Sequence, residues 1–172
     1  MALQSHGPSS QNRVFERYLE VLAAGDPDRL DEVLTNDYVQ VIPQSGEVVR
    51  GLDTFKALLK SWPGGGIPGS AVEQAHIVGS ETDYVVPRLG SMPFMSLVQV
   101  QSSGDTLSAY SRSTYPDGSV WYVASFATLR GGKIAKEVYF FAPLFDAPEW
   151  RLPYVHVIPR EDKDQLDRVL AD

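Results

Sequence analysis

Two segments near opposite ends of the chain constrain its fold most. Phe15–Val39 reads FERYLEVLAAGDPDRLDEVLTNDYV, an amphipathic helix, a Gly-Asp-Pro break that starts a second helix, and then a strand. Trp121–Arg151 reads WYVASFATLRGGKIAKEVYFFAPLFDAPEWR, two long strands joined at Gly131-Gly132. Val14, Tyr18 and Leu22 recur at i, i+4 with Phe15 and Leu19 beside them, the spacing of a helix that buries one face. Gly25 suits the cap of that helix, Asp26 caps the next, and Pro27 occupies a first-turn position where a missing N–H costs nothing. Leu30, Val33 and Leu34 form the buried side of the second helix.

Between these segments, Tyr38–Pro43 alternates as a strand and turns at Gln44-Ser45-Gly46 into a short partner at Glu47–Arg50. Phe55, Leu58, Leu59 and Trp62 mark a third helix that ends at Pro63. Strands are then expected at about residues 71–79, 94–102, 106–115, 119–129 and 133–142. Tyr115-Pro116-Asp117-Gly118 and Gly131-Gly132 supply the hairpin turns. Helices first and a strand meander afterwards imply an α+β fold, three N-terminal helices against one face of a curved mixed or antiparallel sheet. Residues 1–12, polar and Pro/Gly-bearing, read as a flexible arm, residues 13–151 as the domain, and residues 152–172 as a tail with a short helix. PGGGIPGS after the third helix is the most flexible internal stretch. Its G-x-G-x-x-G (Gly64, Gly66, Gly69) follows a helix and contains Pro68, whereas a dinucleotide loop follows a strand and opens a helix.

Composition narrows the function classes. A chain of 172 residues, 43% hydrophobic and 22% charged, can bury one full core. A net charge of −7 leaves no basic footprint to neutralise phosphates, which excludes nucleic acid and anionic membranes as expected partners. No cysteine is present, so disulfides, thiolate metal sites and a Cys nucleophile are excluded. His6, His76 and His156 share no metal-ligand spacing, and no metal or cofactor is expected. The first residues have neither a basic nor an apolar leader region, and no apolar run approaches a membrane span, so the expected location is cytoplasmic.

The two end segments together resemble the nuclear-transport-factor-2-like superfamily, in its SnoaL-like and ketosteroid-isomerase-like branch, over most of residues 13–151. The resemblance implies a cone-shaped fold with an internal pocket between the concave sheet face and the first helix, and commonly a dimer through the opposite face. It also implies a role for Tyr18: Arg17-Tyr18-Leu19 before Ala24-Gly25-Asp26 matches the context of the isomerases' oxyanion-hole tyrosine. Their general-base aspartate precedes a proline where this chain has Ile42 before Pro43, and their second oxyanion acid falls on Ala124. The Arg-x-Asp element of the epoxide-hydrolase relatives is absent too, since Arg112 is followed by Ser113 and Thr114. Neither established constellation is complete.

Counting along the last strand from the Gly131-Gly132 turn points Glu137, Tyr139 and Phe141 inward, with Tyr122 and Phe126 from the strand before and Tyr38, Gln40 and Ile42 from the first strand. His76 is a further pocket candidate. A carboxylate facing aromatic walls has its pKa raised by desolvation, which prepares it for proton transfer near neutral pH, so Glu137 and Tyr18 are the candidate catalytic pair. The structural alternatives are an ion pair of Glu137 with Arg112 or another neighbour at the sheet rim, and a core role for Tyr18. Asp146 reads as a solvated or salt-bridged loop residue, and Trp150 as a clamp on the sheet or on a partner subunit. Trp121, Val123, Val138 and Phe140 are read on the outer sheet face and predict a homodimer through it. The expected ligand is a medium-sized, oxygenated apolar molecule, polyketide- or terpenoid-like, handled by a cofactor-independent isomerase, cyclase or lyase. A non-catalytic ligand-binding or dimerisation module of the same fold is the alternative.

Overall fold

A computed structural model of the chain describes residues 10–61, 74–79, 83–87, 95–114 and 119–162, with 165, 166 and 169. The order of elements is α1 (Ser10–Ala23), a 3-10 helix (Pro27–Glu32), β1 (Leu34–Ile42), β2 (Glu47–Arg50), α2 (Leu52–Lys60), β3 (Gln74–Gly79), β4 (Asp83–Pro87), β5 (Met95–Ser103), β6 (Thr106–Thr114), β7 (Val120–Arg130), β8 (Lys133–Pro143) and a second 3-10 helix (Glu149–Tyr154). All eight strands form one curved, unclosed sheet in the order β2-β1-β8-β7-β6-β5-β3-β4. The sheet is mixed: β1 runs parallel to β8 and β3 parallel to β5, and the other neighbours are antiparallel. The Gly-rich run after α2 and the Tyr115–Gly118 turn lie outside the described residues.

The first helix begins at Ser10, inside the stretch read as an arm, and ends as its sequence dictates. Gly25 takes φ 64°, open to glycine at little cost, and its N–H reaches the Leu22 carbonyl at 3.0 Å. The Asp26 side chain then accepts from the Asp28 N–H at 3.1 Å, with Pro27 in the first turn. The segment it caps is a six-residue 3-10 helix rather than an α-helix, because buried Leu30 and Val33 are three residues apart and Leu34 is already committed to β1. In α2, Leu52, Phe55 and Leu59 are buried, while Leu58, expected on the same stripe, is 43% exposed. The N–H of Gly51, which precedes α2, donates to the Tyr38 carbonyl at 2.8 Å and fixes the helix against β1.

One core joins the helices to the concave sheet face. Phe15, Tyr18, Leu19, Val21 and Leu22 of α1 meet Leu34 and Tyr38 of β1, Leu107 and Ala109 of β6, Ala127 and Leu129 of β7 and Ile134 of β8. Gly131 and Gly132 both take positive φ (59° and 75°), the conformation a two-residue hairpin requires, and they launch β8 straight back along β7. Leu129 then opposes Ile134 but Thr128 opposes Lys136, so Ala135 is an extra residue on β8, a bulge. Such an insertion bends the strand and reverses which faces of the two strands coincide beyond it.

Candidate functional site

On the concave face, β8 presents Glu137 between Gln40 of parallel β1 and Ala127 of antiparallel β7. The side chain is 1% exposed, and its environment is three phenols. Tyr18 of α1 donates to Glu137 Oε2 at 3.0 Å, Tyr38 of β1 donates to the same oxygen, and Tyr139 of β8 donates to Oε1 at 3.0 Å. The Tyr18 and Tyr139 hydroxyls stand 3.5 Å apart. Tyr38 is wholly buried with its ring 4.9 Å from Phe55, and Tyr139, half-buried, stacks on Phe141 at 6.2 Å. Gln40 lies on the same face of β1, directly beside Glu137 in the parallel register.

Burial, with no cation beside Glu137 among the described residues, sets the electrostatics. Desolvation pushes the Glu137 carboxyl above its ordinary value, and the three phenolic donors, which favour the ionised form, only partly offset it. The three phenols are driven well above the usual tyrosine range, first by their own burial and then by the Glu137 charge. They are therefore neutral donors at any physiological pH. A buried carboxylate held by three neutral hydroxyls gives up its proton above the ordinary carboxylate range, whereas an Arg or Lys partner would hold it ionised.

The structure brings Tyr18, Tyr38, Gln40, Glu137 and Tyr139 together, with Ile42 and Phe141 on the same face. It does not bring Tyr122 or Phe126 there. Phe126 opposes Val138 and Tyr122 opposes Ala142, both on the outer face, where Phe126 is 48% exposed and packs edge-on against Phe140 at 6.1 Å. Their inward places are taken by Val123, Ser125 and Ala127. The cause is the Ala135 bulge: a flush count from Gly131-Gly132 sets Phe126 opposite Glu137, and the extra residue sets Ala127 there. The same shift moves Trp121 and Val123 off the outer face, and Val123 is buried. His76 pairs with Gln99 of β5, and Gln99 with Tyr110 of β6. Arg112 opposes outer-facing Tyr122, which removes it as an ion-pair partner of Glu137.

Sequence reasoning missed the direct Tyr139–Glu137 hydrogen bond and the buried Ser111 on β6, which opposes Val123. The i, i+2 spacing of Glu137 and Tyr139 on one strand face was the available signal for the first. Asp146 is exposed and pairs with Arg160 at 2.5 Å, as its loop position implied. Trp150, 71% exposed with the Arg151 guanidinium 5.1 Å over its ring, clamps nothing within its own chain among the described residues.

A curved mixed sheet cupping an N-terminal helix, with polar groups gathered on its concave face, is the architecture of NTF2-like proteins. The chain belongs to the SnoaL-like domain family, which it matches over residues 15–137. Among solved structures it is similar to an NTF2-like protein of unknown function from Burkholderia xenovorans LB400, with 23% identity over 87% of this chain and 96% of the other and a TM-score of 0.63. It is also similar to a putative ketosteroid isomerase from Kribbella flavida (13% identity, 88% and 92% covered, TM-score 0.65) and to an LEH-like epoxide hydrolase from M. tuberculosis (16%, 77% and 82%, 0.50). At these identities the likeness is one of fold. No curated protein matches the sequence.

Proposed function

We propose that the concave face binds a medium-sized, oxygenated apolar molecule of polyketide or terpenoid type and that the protein is a cofactor-independent isomerase, cyclase or lyase. Glu137 holds or releases the proton, and Tyr18 and Tyr139 contact the ligand's oxygen. The observation that carries this reading is a buried carboxylate, raised in pKa, whose partners among the described residues are three phenols and no cation. Glu137 is itself sealed, so a proton passes between it and the ligand through a phenol, in the manner of general acid–base catalysis by relay. That seal, at 1% exposure, is also what favours the second reading, a ligand-binding or dimerisation module with no turnover. A cytoplasmic homodimer through the outer face accompanies either reading, supported by exposed Tyr110, Phe126 and Phe140.

Glu137→Gln decides between the two. The amide keeps the shape but cannot exchange the proton, so turnover is expected to vanish while fold and ligand binding persist. Turnover of an identified substrate unchanged in Glu137→Gln selects the binding module.

A further inference from the structure

Counting hydrogens in the Glu137 cluster shows what kind of ligand atom it can meet. Three phenols carry three hydroxyl protons, and all three point at the carboxylate, two on Oε2 and one on Oε1. In that state the cluster offers a ligand only oxygen lone pairs and a net negative charge. A ligand carbonyl, which can only accept, has no partner. If Glu137 takes up a proton, its position is set by occupancy: Oε2 already accepts from Tyr18 and Tyr38, whereas Oε1 accepts from Tyr139 alone. The proton therefore sits on Oε1 and donates to the Tyr139 hydroxyl, whose own proton must turn away. Within the cluster its one alternative acceptor is the Tyr18 oxygen at 3.5 Å, the outer limit of a hydrogen bond, and Tyr139 is the half-buried phenol of the three. Tyr38 is wholly buried, so it cannot take this part.

We infer that Tyr139 is the specificity-determining contact and that the proton on Glu137 sets its polarity, so that a carbonyl ligand binds only with uptake of one proton, whereas a hydroxyl ligand binds the ionised cluster. This deepens the reading of the cluster as the ligand site and does not require that the protein turn a substrate over. No other ionisable group faces Glu137 in the described structure: α1 supplies Tyr18, β1 supplies Tyr38 and Gln40, and the neighbouring rows of β7 and β6 present Ala127, Ser125, Leu107, Ala109 and Ser111.

The test pairs 1-tetralone with 1-tetralol in calorimetric titrations from pH 5 to 9, in buffers of differing ionisation enthalpy. Tetralone is expected to take up one proton and to lose affinity about tenfold per pH unit above the Glu137 pKa, while tetralol changes less than about twofold. Glu137→Gln, whose amide nitrogen donates permanently to Tyr139, should bind tetralone without pH dependence, and Tyr139→Phe should lose the preference between the two. Equal pH slopes for both probes, or tetralone binding with no proton uptake, overturns the inference. Should neither probe bind, infrared difference spectra between low and high pH read the same switch without a ligand. A tyrosine C–O stretch that shifts with pH and is lost in both Tyr139→Phe and Glu137→Gln supports it, and an unshifted band overturns it. Absent turnover alongside a proton-linked tetralone response would refute the enzyme reading and leave this one standing.

Discussion

Tyr38→Phe isolates what a phenol contributes to a buried carboxylate. The substitution keeps the ring, so its contact with Phe55 at 4.9 Å survives, and removes one of two donors on Glu137 Oε2. The cost depends on the state of the acid. A hydrogen bond between neutral groups contributes about 1 kcal/mol, and one to a charged group about 1.5–3 kcal/mol. The variant should therefore lose about 1 kcal/mol at a pH where native Glu137 is protonated and about 2 kcal/mol where it is ionised. The difference of about 1 kcal/mol corresponds to somewhat under one further unit of upward shift in the Glu137 pKa. The sign is fixed by linkage. With the folded pKa above the unfolded one, the native state binds more protons between the two values, so stability falls as pH rises through that window and is flat above it. In Tyr38→Phe the window reaches higher, and the fall is larger. Urea unfolding at pH 4.5 and pH 8 measures this directly: with slopes of about 1–3 kcal/mol/M, the variant's midpoint deficit should grow from about 0.5 M to about 1 M. A deficit that is equal at both pH values, or smaller at pH 8, would refute the account of Glu137 as a raised, phenol-held acid.

Other expectations concern the site, the core and the outer face. Tyr18→Phe, which removes a donor on Glu137 Oε2, should lower turnover of an identified substrate by about 10–1,000-fold, the scale of losing one preorganised hydrogen-bond donor, while Asp146→Asn leaves the same rate nearly unchanged. Ile134→Ala, at a fully buried position where β8 joins β1, should cost about 2–5 kcal/mol in urea unfolding. Sedimentation at micromolar concentration should give a dimer of the 19.0 kDa chain, and Phe126→Lys, on the exposed outer face, should give the monomer.

Which parts were legible in sequence has a simple physical pattern. Local signals carried the helix starts and stops, because Gly25, Asp26 and Pro27 act through their own backbone. The face of β8 was legible too, since Glu137, Tyr139 and Phe141 alternate with Lys136, Val138 and Phe140 whatever the neighbouring strand does. The face of β7 was not. Pairing is a relation between two strands, and Ala135, a small residue in an otherwise regular run, carries no mark of being the extra one. That single residue misdirected Tyr122, Phe126, Trp121 and Val123 together. Strand β4 (Asp83–Pro87) was unread because Tyr84-Val85-Val86 is an unbroken apolar run ending at a proline, without the alternation that marks a strand. The 3-10 helix after Pro27 was read as an α-helix because both periods place Leu30 and Val33 on one side.

The parallel pairing of β1 with β8 also governs when the site comes into being. Tyr18 and Tyr38 leave the ribosome about a hundred residues ahead of the acid they hold, the separations from Glu137 being 119 and 99. Until β8 is made, β1 has β2 beside it but no partner on its other edge, and the two phenols have nothing to donate to. Contacts this distant in sequence are slow to form, since the loop they close must be ordered before they repay it. The Glu137 cluster thus cannot assemble before β8 has been made. Any chain cut short before residue 137 carries the helices, most of the sheet and an open edge, but none of the acid that gives the site its chemistry.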